Sequence, residues 1–213
     1  MRYPRLTLVA CLAGILLPTP ARATYPGQNG LIAFDINVVS PPSEGLTLIN
    51  PDGTDQHTIT DRGSQASWSA DGSTIYFTRY DNFINEGIWS IHPDGSGLTR
   101  VTEPKQWWDI SPWPMSDGSV VFESNRGHPG CCDTDLWLKV PGQKAFRLTA
   151  TPDEDMQPVA SPDGRRIAFI RFHLNVGSDL MVMNADGTHP RVLVRGVDWS
   201  GIDWSPDGTL SPS

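Results

Sequence analysis

From about residue 30 onward, short apolar runs alternate with polar clusters, and the alternation recurs along the chain. Ile167-Ala168-Phe169-Ile170 and Leu180-Met181-Val182-Met183 are bounded by Ser161-Pro162-Asp163-Gly164 and Asn184-Ala185-Asp186-Gly187. Apolar runs this short, fenced by turn residues, predict strands rather than helices. Proline presets φ for a type I turn, aspartate bonds back to nearby backbone, and glycine takes the left-handed position that closes a bulged hairpin. Asp155 to Val194 therefore reads as strand, tight turn, strand, longer loop, strand, tight turn, strand. That is a four-stranded antiparallel sheet.

The same unit is written several times. The first-turn aspartate recurs at Asp71, Asp117, Asp163 and Asp207, at intervals of 46, 46 and 44 residues. The second-turn glycine recurs at Gly53, Gly95, Gly142 and Gly187, at intervals of 42, 47 and 45. Strands after the first turn align as Leu31 to Phe34, Ile75 to Phe77, Val120 to Phe122 and Ile167 to Phe169. Strands before the second turn align as Leu46 to Ile49, Ile88 to Ile91, Leu136 to Leu138 and Leu180 to Met183. A four-stranded unit repeating at roughly 40–50 residues is the signature of β-propeller blades. The predicted fold is all-β, a β-propeller of about four four-stranded antiparallel blades, near residues 30–60, 65–102, 109–149 and 155–194.

The repeat resembles the WD40-like PD40 unit of TolB-type β-propellers, P-x-W-S-P-D-G-x-x-I-A-F followed by D-I-Y-V-M-N-A-D-G and a closing L-T. The matching residues are Pro158, Ser161 to Gly164, Ile167 to Phe169, Asp179 to Gly187, the pair Leu148-Thr149 and its variant Val101-Thr102. The resemblance covers essentially all of the chain after residue 29. It departs at Lys139-Val140-Pro141-Gly142, which lacks the aspartate, and at Met115-Ser116-Asp117-Gly118. Such propellers usually have six blades, so four implies a ring that is incomplete or open. The resemblance also implies a binding role in the cell envelope or outside the cell.

The first 23 residues differ in kind. Arg2 and Arg5 precede an apolar run from Leu6 to Leu17, and Ala21-Arg22-Ala23 is an A-x-A cleavage signal. This predicts a secretory signal peptide over 1–23 and a propeller over 24–213. Leu8-Val9-Ala10-Cys11 is a competing lipobox that would lipidate Cys11, but the apolar run before it is short. No other membrane segment is evident. The whole chain carries 16 basic and 24 acidic residues. Cleavage removes three arginines and no acids, leaving a net charge near −11. Such a surface argues against nucleic acid, whose affinity rests on neutralised phosphates. Adjacent Cys131 and Cys132 are a candidate vicinal disulfide in an exported protein. Their Cα atoms, about 3.8 Å apart, fall short of the usual span of about 4.4–6.8 Å, so the bond would be strained. It reads as a loop staple rather than a redox switch, with two free thiols as the alternative.

The ends of the repeat are uneven. Asn29 to Phe34 matches a first turn and second strand with no preceding strand, whereas residues 201–208 supply a strand and a turn. Either Ile202 to Ser205 pairs beside Leu31 to Phe34 and closes the ring, or the last blade is truncated. Alternating strands put both Asp-Gly turns of each blade on one face and the longer connections on the other. Those connections are Asp35–Gly45, Arg79–Gly87, Ser124–Asp135 and Arg171–Ser178 within blades. Between blades they are Thr60–Ala66, Glu103–Ile110 and Ala150–Gln157. The long-loop face collects Arg79, Tyr80, Phe83, Trp107, Trp108, Asn125, Arg126, His128, Arg171, Phe172 and His173, aromatic and arginine anchors of the kind that carry interfaces. At least one of Trp107 and Trp108 is expected to pack between blades instead.

Motifs for catalysis are absent: no G-x-S-x-G, S-x-x-K or H-E-x-x-H occurs. Asn50, Asp52 and Asp55 resemble the start of a calcium loop. Counting from Asn50, however, gives aspartates where glycine at six and glutamate at twelve are needed. Calcium remains a minor alternative, and no cofactor is expected. The reading is an exported, non-catalytic propeller that binds a protein or peptide. The alternatives are a hydrolase or lyase acting on a sugar or lactone with a metal in the channel, and a fragment without independent activity.

Overall fold

The structure, a computed structural model, describes residues 30–39, 42–82, 85–103, 107–127, 133–198, 201–205, 208 and 210–212. Within them the chain forms strands and turns and no helix. Strands β1 (Ile32–Val39), β2 (Pro42–Ile49) and β3 (His57–Asp61) make a three-stranded sheet. The second sheet comprises β4 (Ser64–Trp68), β5 (Ile75–Asn82), β6 (Asn85–Ile91) and β7 (Thr99–Arg100). The third comprises β8 (Asp109–Pro114), β9 (Val120–Ser124), β10 (Asp135–Lys139) and β11 (Phe146–Arg147). The fourth comprises β12 (Glu154–Ala160), β13 (Arg166–His173), β14 (Gly177–Asn184) and β15 (Arg191–Val197). A final hairpin pairs β16 (Ile202–Trp204) with β17 (Leu210–Pro212). Neighbours pair antiparallel throughout, in chain order.

The predicted Asp-Gly corners form, and their chemistry is visible. Asp71 Oδ1 accepts from the Ser69 hydroxyl at 2.7 Å and the Ser73 amide at 3.0 Å. Asp163 repeats this with Ser161 and Arg165. Asp52, Asp94 and Asp186 cap the second corners, each accepting from a residue two positions on. Each glycine that follows takes the left-handed backbone that side chains resist, as at Gly72 (φ 70°) and Gly187 (φ 84°). The closing threonines have a purpose too. Thr102 and Thr149 are buried, and their hydroxyls accept from the amides of Ile88 (3.1 Å) and Leu136 (3.0 Å), just where the outer strand leaves its ladder.

The sheets stand face to face, with the apolar residues in the seams. Leu46, Leu48, Ile75, Phe77 and Ile91 fill the first seam, and Ile88, Val120 and Phe122 the second. Val121, Leu136, Ile167, Phe169 and Met181 fill the third, and Val159, Ala168, Val182 and Trp204 the fourth. The first strands neighbour one another in succession: β4 lies against β8, β8 against β12 and β12 against β16. This is a β-propeller whose ring is not closed among the described residues.

One expectation changes, and one open alternative is decided. Three of the connections read as long loops are strand: β1 and β2 pair from Ile32↔Ile49 out to Val39↔Pro42, β5 and β6 reach Asn82↔Asn85, and β13 and β14 reach His173↔Gly177. Polar residues such as Thr78, Arg79 and Arg171 sit in these ladders, which hydrophobicity alone places outside a strand. The proposed pairing of Ile202 to Ser205 with Leu31 to Phe34 is not formed among the described residues. Trp204 pairs instead with Leu210, returned by the corner in which Gly208 donates to Ser205.

Candidate functional site

The first strands converge on an axial cavity of about 230 Å³, lined by Gln65, Ser111, Trp113, Gln157, Pro158 and Gly201 among others. Its position follows from a repeated irregularity. Each first strand slips register once, between Ser64 and Ser67, Ile110 and Trp113, and Met156 and Val159. In each slip a non-glycine residue adopts left-handed backbone: Gln65 (φ 52°), Ser111 (φ 51°) and Gln157 (φ 52°). Each stands six residues before its turn aspartate, and Gly201 holds the same place before Asp207. A bulge of this kind bends the strand and takes its amide out of the ladder. Non-glycine residues at positive φ cost free energy and gather at functional sites.

The freed amides are caught by side chains of the preceding sheet. Ser111 N donates to Thr78 Oγ1 and Gln65 Oε1, both at 3.2 Å, and Thr78 Oγ1 in turn donates to Gln65 Oε1 at 2.8 Å. At the next seam Gln157 N donates to Glu123 Oε1 at 2.7 Å. Glu123 is 5% exposed, and burial pushes its carboxyl up to about 7 against the lowering effect of the Gln157 amide and Ser111 hydroxyl. Position 170, which corresponds to Thr78 and Glu123, is isoleucine and offers no hydroxyl. Gln157 Oε1 is buried with no hydrogen-bond partner among the described residues.

Ion pairs anchor the starts of these first strands, two residues before the bulges at Ser111 and Gln157. Asp109 takes Arg126 on both oxygens, Nε–Oδ1 at 3.0 Å and Nη2–Oδ2 at 2.5 Å, and the Ser124 hydroxyl at 2.7 Å. Arg126 also bonds Glu103 at 3.0 Å, and Lys139 bonds the same carboxylate. Burial opposes its ionisation, but these bonds hold Glu103 down at about 2. Asp155, fully buried, takes Arg171 at 2.7 and 2.9 Å. His173 lies between Asp153 (3.0 Å) and Asp179 (3.3 Å), and Asp135 pairs with Arg147.

The residues of the candidate face are therefore placed as follows. Arg79, Arg126 and Arg171 are largely covered, and their guanidinium groups lie over Trp89 (5.1 Å), Trp137 (5.4 Å) and Phe169 (5.6 Å). Tyr80 is half-buried, with its hydroxyl 3.4 Å from Ser64 Oγ. Trp107 and Trp108 are half-buried, and Trp108 N donates to Asn125 Oδ1 at 2.9 Å. His173 is half-buried in its carboxylate pair. Phe83, His128, Cys131 and Cys132 lie outside the described residues, as do residues 1–23. The bulged positions Gln65, Ser111 and Gln157 went unnoticed in the sequence. The signal available was their constant offset from the turn aspartate.

No protein-family model matches the chain. Over 174 residues, 76% of the chain, it is 29% identical to the Tol-Pal system protein TolB of Anaeromyxobacter dehalogenans, and the match takes in only 37% of that protein. In structure it is similar to a putative TolB from Agrobacterium tumefaciens, with a TM-score of 0.71 and 22% identity, covering 86% of this chain and 72% of that one. An oligogalacturonate lyase in complex with manganese shares the fold at a TM-score of 0.57 and 17% identity, over 78% of this chain and 49% of that one. By fold the molecule is a β-propeller, and its sequence and structural likenesses are of the TolB type. The chain spans little more than a third of the length of the curated relative it matches.

Proposed function

We propose that the chain is an exported, non-catalytic binding propeller of the cell envelope or extracellular space, and that it takes a protein segment or peptide at the axial mouth. The observation that carries this is the set of three bulged positions, Gln65, Ser111 and Gln157, joined by Gly201 at the same offset around one cavity, with the Gln157 side-chain Oε1 buried and without a hydrogen-bond partner among the described residues. A buried polar oxygen without a partner costs about 1–3 kcal/mol. A donor from an incoming backbone amide or side chain would recover that cost. The ion pairs hold the first strands in place, so the mouth is preformed. The curated relative is named as a component of a Tol-Pal system. The leader-like residues 1–23 agree with export.

The test fills the mouth. A Cβ on Gly201 would meet nothing within 4 Å, and the backbone there needs no left-handed φ. Gly201→Trp should therefore fold normally and block the cavity. Proteins recovered from an envelope extract by the intact chain should be lost with this variant. A folded Gly201→Trp that recovers the same partners overturns the assignment. An Arg79→Ala/Tyr80→Ala/Phe83→Ala variant run in parallel reads the contribution of these three side chains. One observation favours a second reading, a lyase or hydrolase: Glu123, pushed up to about 7, bonds Ser111 and Gln157, two residues that line the cavity. Turnover of an acidic oligosaccharide that is abolished by Glu123→Gln would decide for it.

A further inference from the structure

At the other end of the strands a second cavity of about 230 Å³ is lined by Arg166, Val182, Met183, Asn184, His189 and Arg191. The sheet register explains the gathering. Arg166 of β13 pairs with Asn184 of β14, and Val182, two residues back on the same face, pairs with Arg191 of β15. This face meets the final hairpin where Ala168 and Val182 touch Trp204, and the cavity takes the part beside that contact. Asn184 Nδ2 lies 2.8 Å from Thr188 Oγ1 and 3.2 Å from His189 Nδ1. With Nδ1 accepting from Asn184, Nε2 is left to face the cavity's other polar groups as a donor.

The repeat shows that this basic cluster is not required by the fold. Where the fourth sheet has Arg166, the second and third have Thr74 and Ser119; where it has Arg191, they have Thr99 and Phe146. The turn position of His189 (φ 56°) is Asp55 (φ 53°) in the first sheet, where Asn50 donates to the carboxylate instead. An imidazole replaces a carboxylate on an unchanged backbone.

The ionic setting differs as well. Arg79, Arg126, Arg147, Arg171 and Arg195 each meet a carboxylate within 4 Å. Arg166 and Arg191 meet none among the described residues. Of the acids in the two turns, Asp163 accepts from the Ser161 hydroxyl and the Arg165 amide and also feels the Arg166 charge, and Asp186 accepts from Thr188 with His189 nearby. Arg166 and Arg191, both exposed, thus line one cavity with no carboxylate within 4 Å among the described residues, an arrangement open to an anion.

We propose that Arg166 and Arg191, with Asn184 and His189, form an oxyanion site that takes a phosphate group, either free or on a lipid headgroup. It lies apart from the axial mouth and stands whether or not that assignment does. The test titrates the full chain with inorganic phosphate at constant ionic strength, following amide NMR shifts, with chloride as the control. Saturable shifts centred on residues 166, 184, 189 and 191 are expected. Arg166→Thr and Arg191→Thr install the residues that the second sheet already carries on its strands, and each should weaken binding about tenfold. Phosphate shifts that are absent, equalled by chloride, or retained in the double variant overturn the proposal. Sedimentation with phosphatidylcholine vesicles, with and without phosphatidic acid, separates the sources. Acid-dependent binding lost in the variants assigns the headgroup, and phosphate binding without it assigns the free anion.

Discussion

The second and third seams solve one problem with different chemistry. In both, a bulge in the first strand frees an amide that the preceding sheet must satisfy. Between the second and third sheets the acceptors are neutral, the Thr78 hydroxyl and the Gln65 amide oxygen, and they also bond each other. Between the third and fourth sheets the acceptor is Glu123, a carboxyl out of reach of water. The backbone need is the same, yet only one seam responds to protons. The geometry of a repeat fixes where a donor must be met, and the side chain chosen to meet it sets the response to the medium.

The largest effect that would break this comparison lies at the root of β12. Asp155→Ala leaves Arg171 buried without its carboxylate and should cost about 3–5 kcal/mol, read as a shift in the urea midpoint. A loss below about 1 kcal/mol would mean that the ion pair does not hold the fourth sheet in place. Next comes the pH response of Glu123. Its carboxyl titrates near 4.5 when unfolded and at about 7 in the fold, so the native state binds the extra proton between those values. Stability should rise as pH falls from 7 to 4.5, by up to about 3 kcal/mol, and be level above 7. Glu123→Gln should flatten that window and raise stability at neutral pH. Glu103 and Asp71, both held down at about 2, act in the opposite sense and only in stronger acid, so the windows separate.

Smaller effects sharpen the contrast. Thr102→Val and Thr149→Val remove the same device from the second and third sheets, so each should lose about 1–2 kcal/mol and by similar amounts. Unequal losses would show that the sheets are not energetically equivalent. Thr78→Val should cost least, about 1 kcal/mol, because Ser111 N keeps Gln65 Oε1 as an acceptor. Unlike Glu123→Gln, it should leave the pH profile unchanged.

The legible part of the fold was local. Ser-Pro-Asp-Gly and Asn-Ala-Asp-Gly declare their corners because the carboxylate and glycine act within five residues. The short apolar runs fell on β5, β6, β9, β10, β13 and β14. The illegible part depends on register. Asp155 meets Arg171, and Asp109 meets Arg126, only once two strands are aligned, and a sequence shows those residues merely as scattered charges. Arg79, Arg126 and Arg171 read as exposed anchors for this reason, although they lie over aromatic rings. Gln65, Ser111 and Gln157 were hidden by a subtler cause: left-handed backbone usually announces itself with glycine, and here it does not.

Because each seam joins only consecutive sheets, cooperativity is transmitted from neighbour to neighbour, as in a linear array. The second and third sheets, covered on both faces by full sheets, should exchange their amide hydrogens last. The β16–β17 hairpin and the β1–β3 sheet should open first, and whatever covers those two outer faces would slow exchange there before it altered the middle of the molecule.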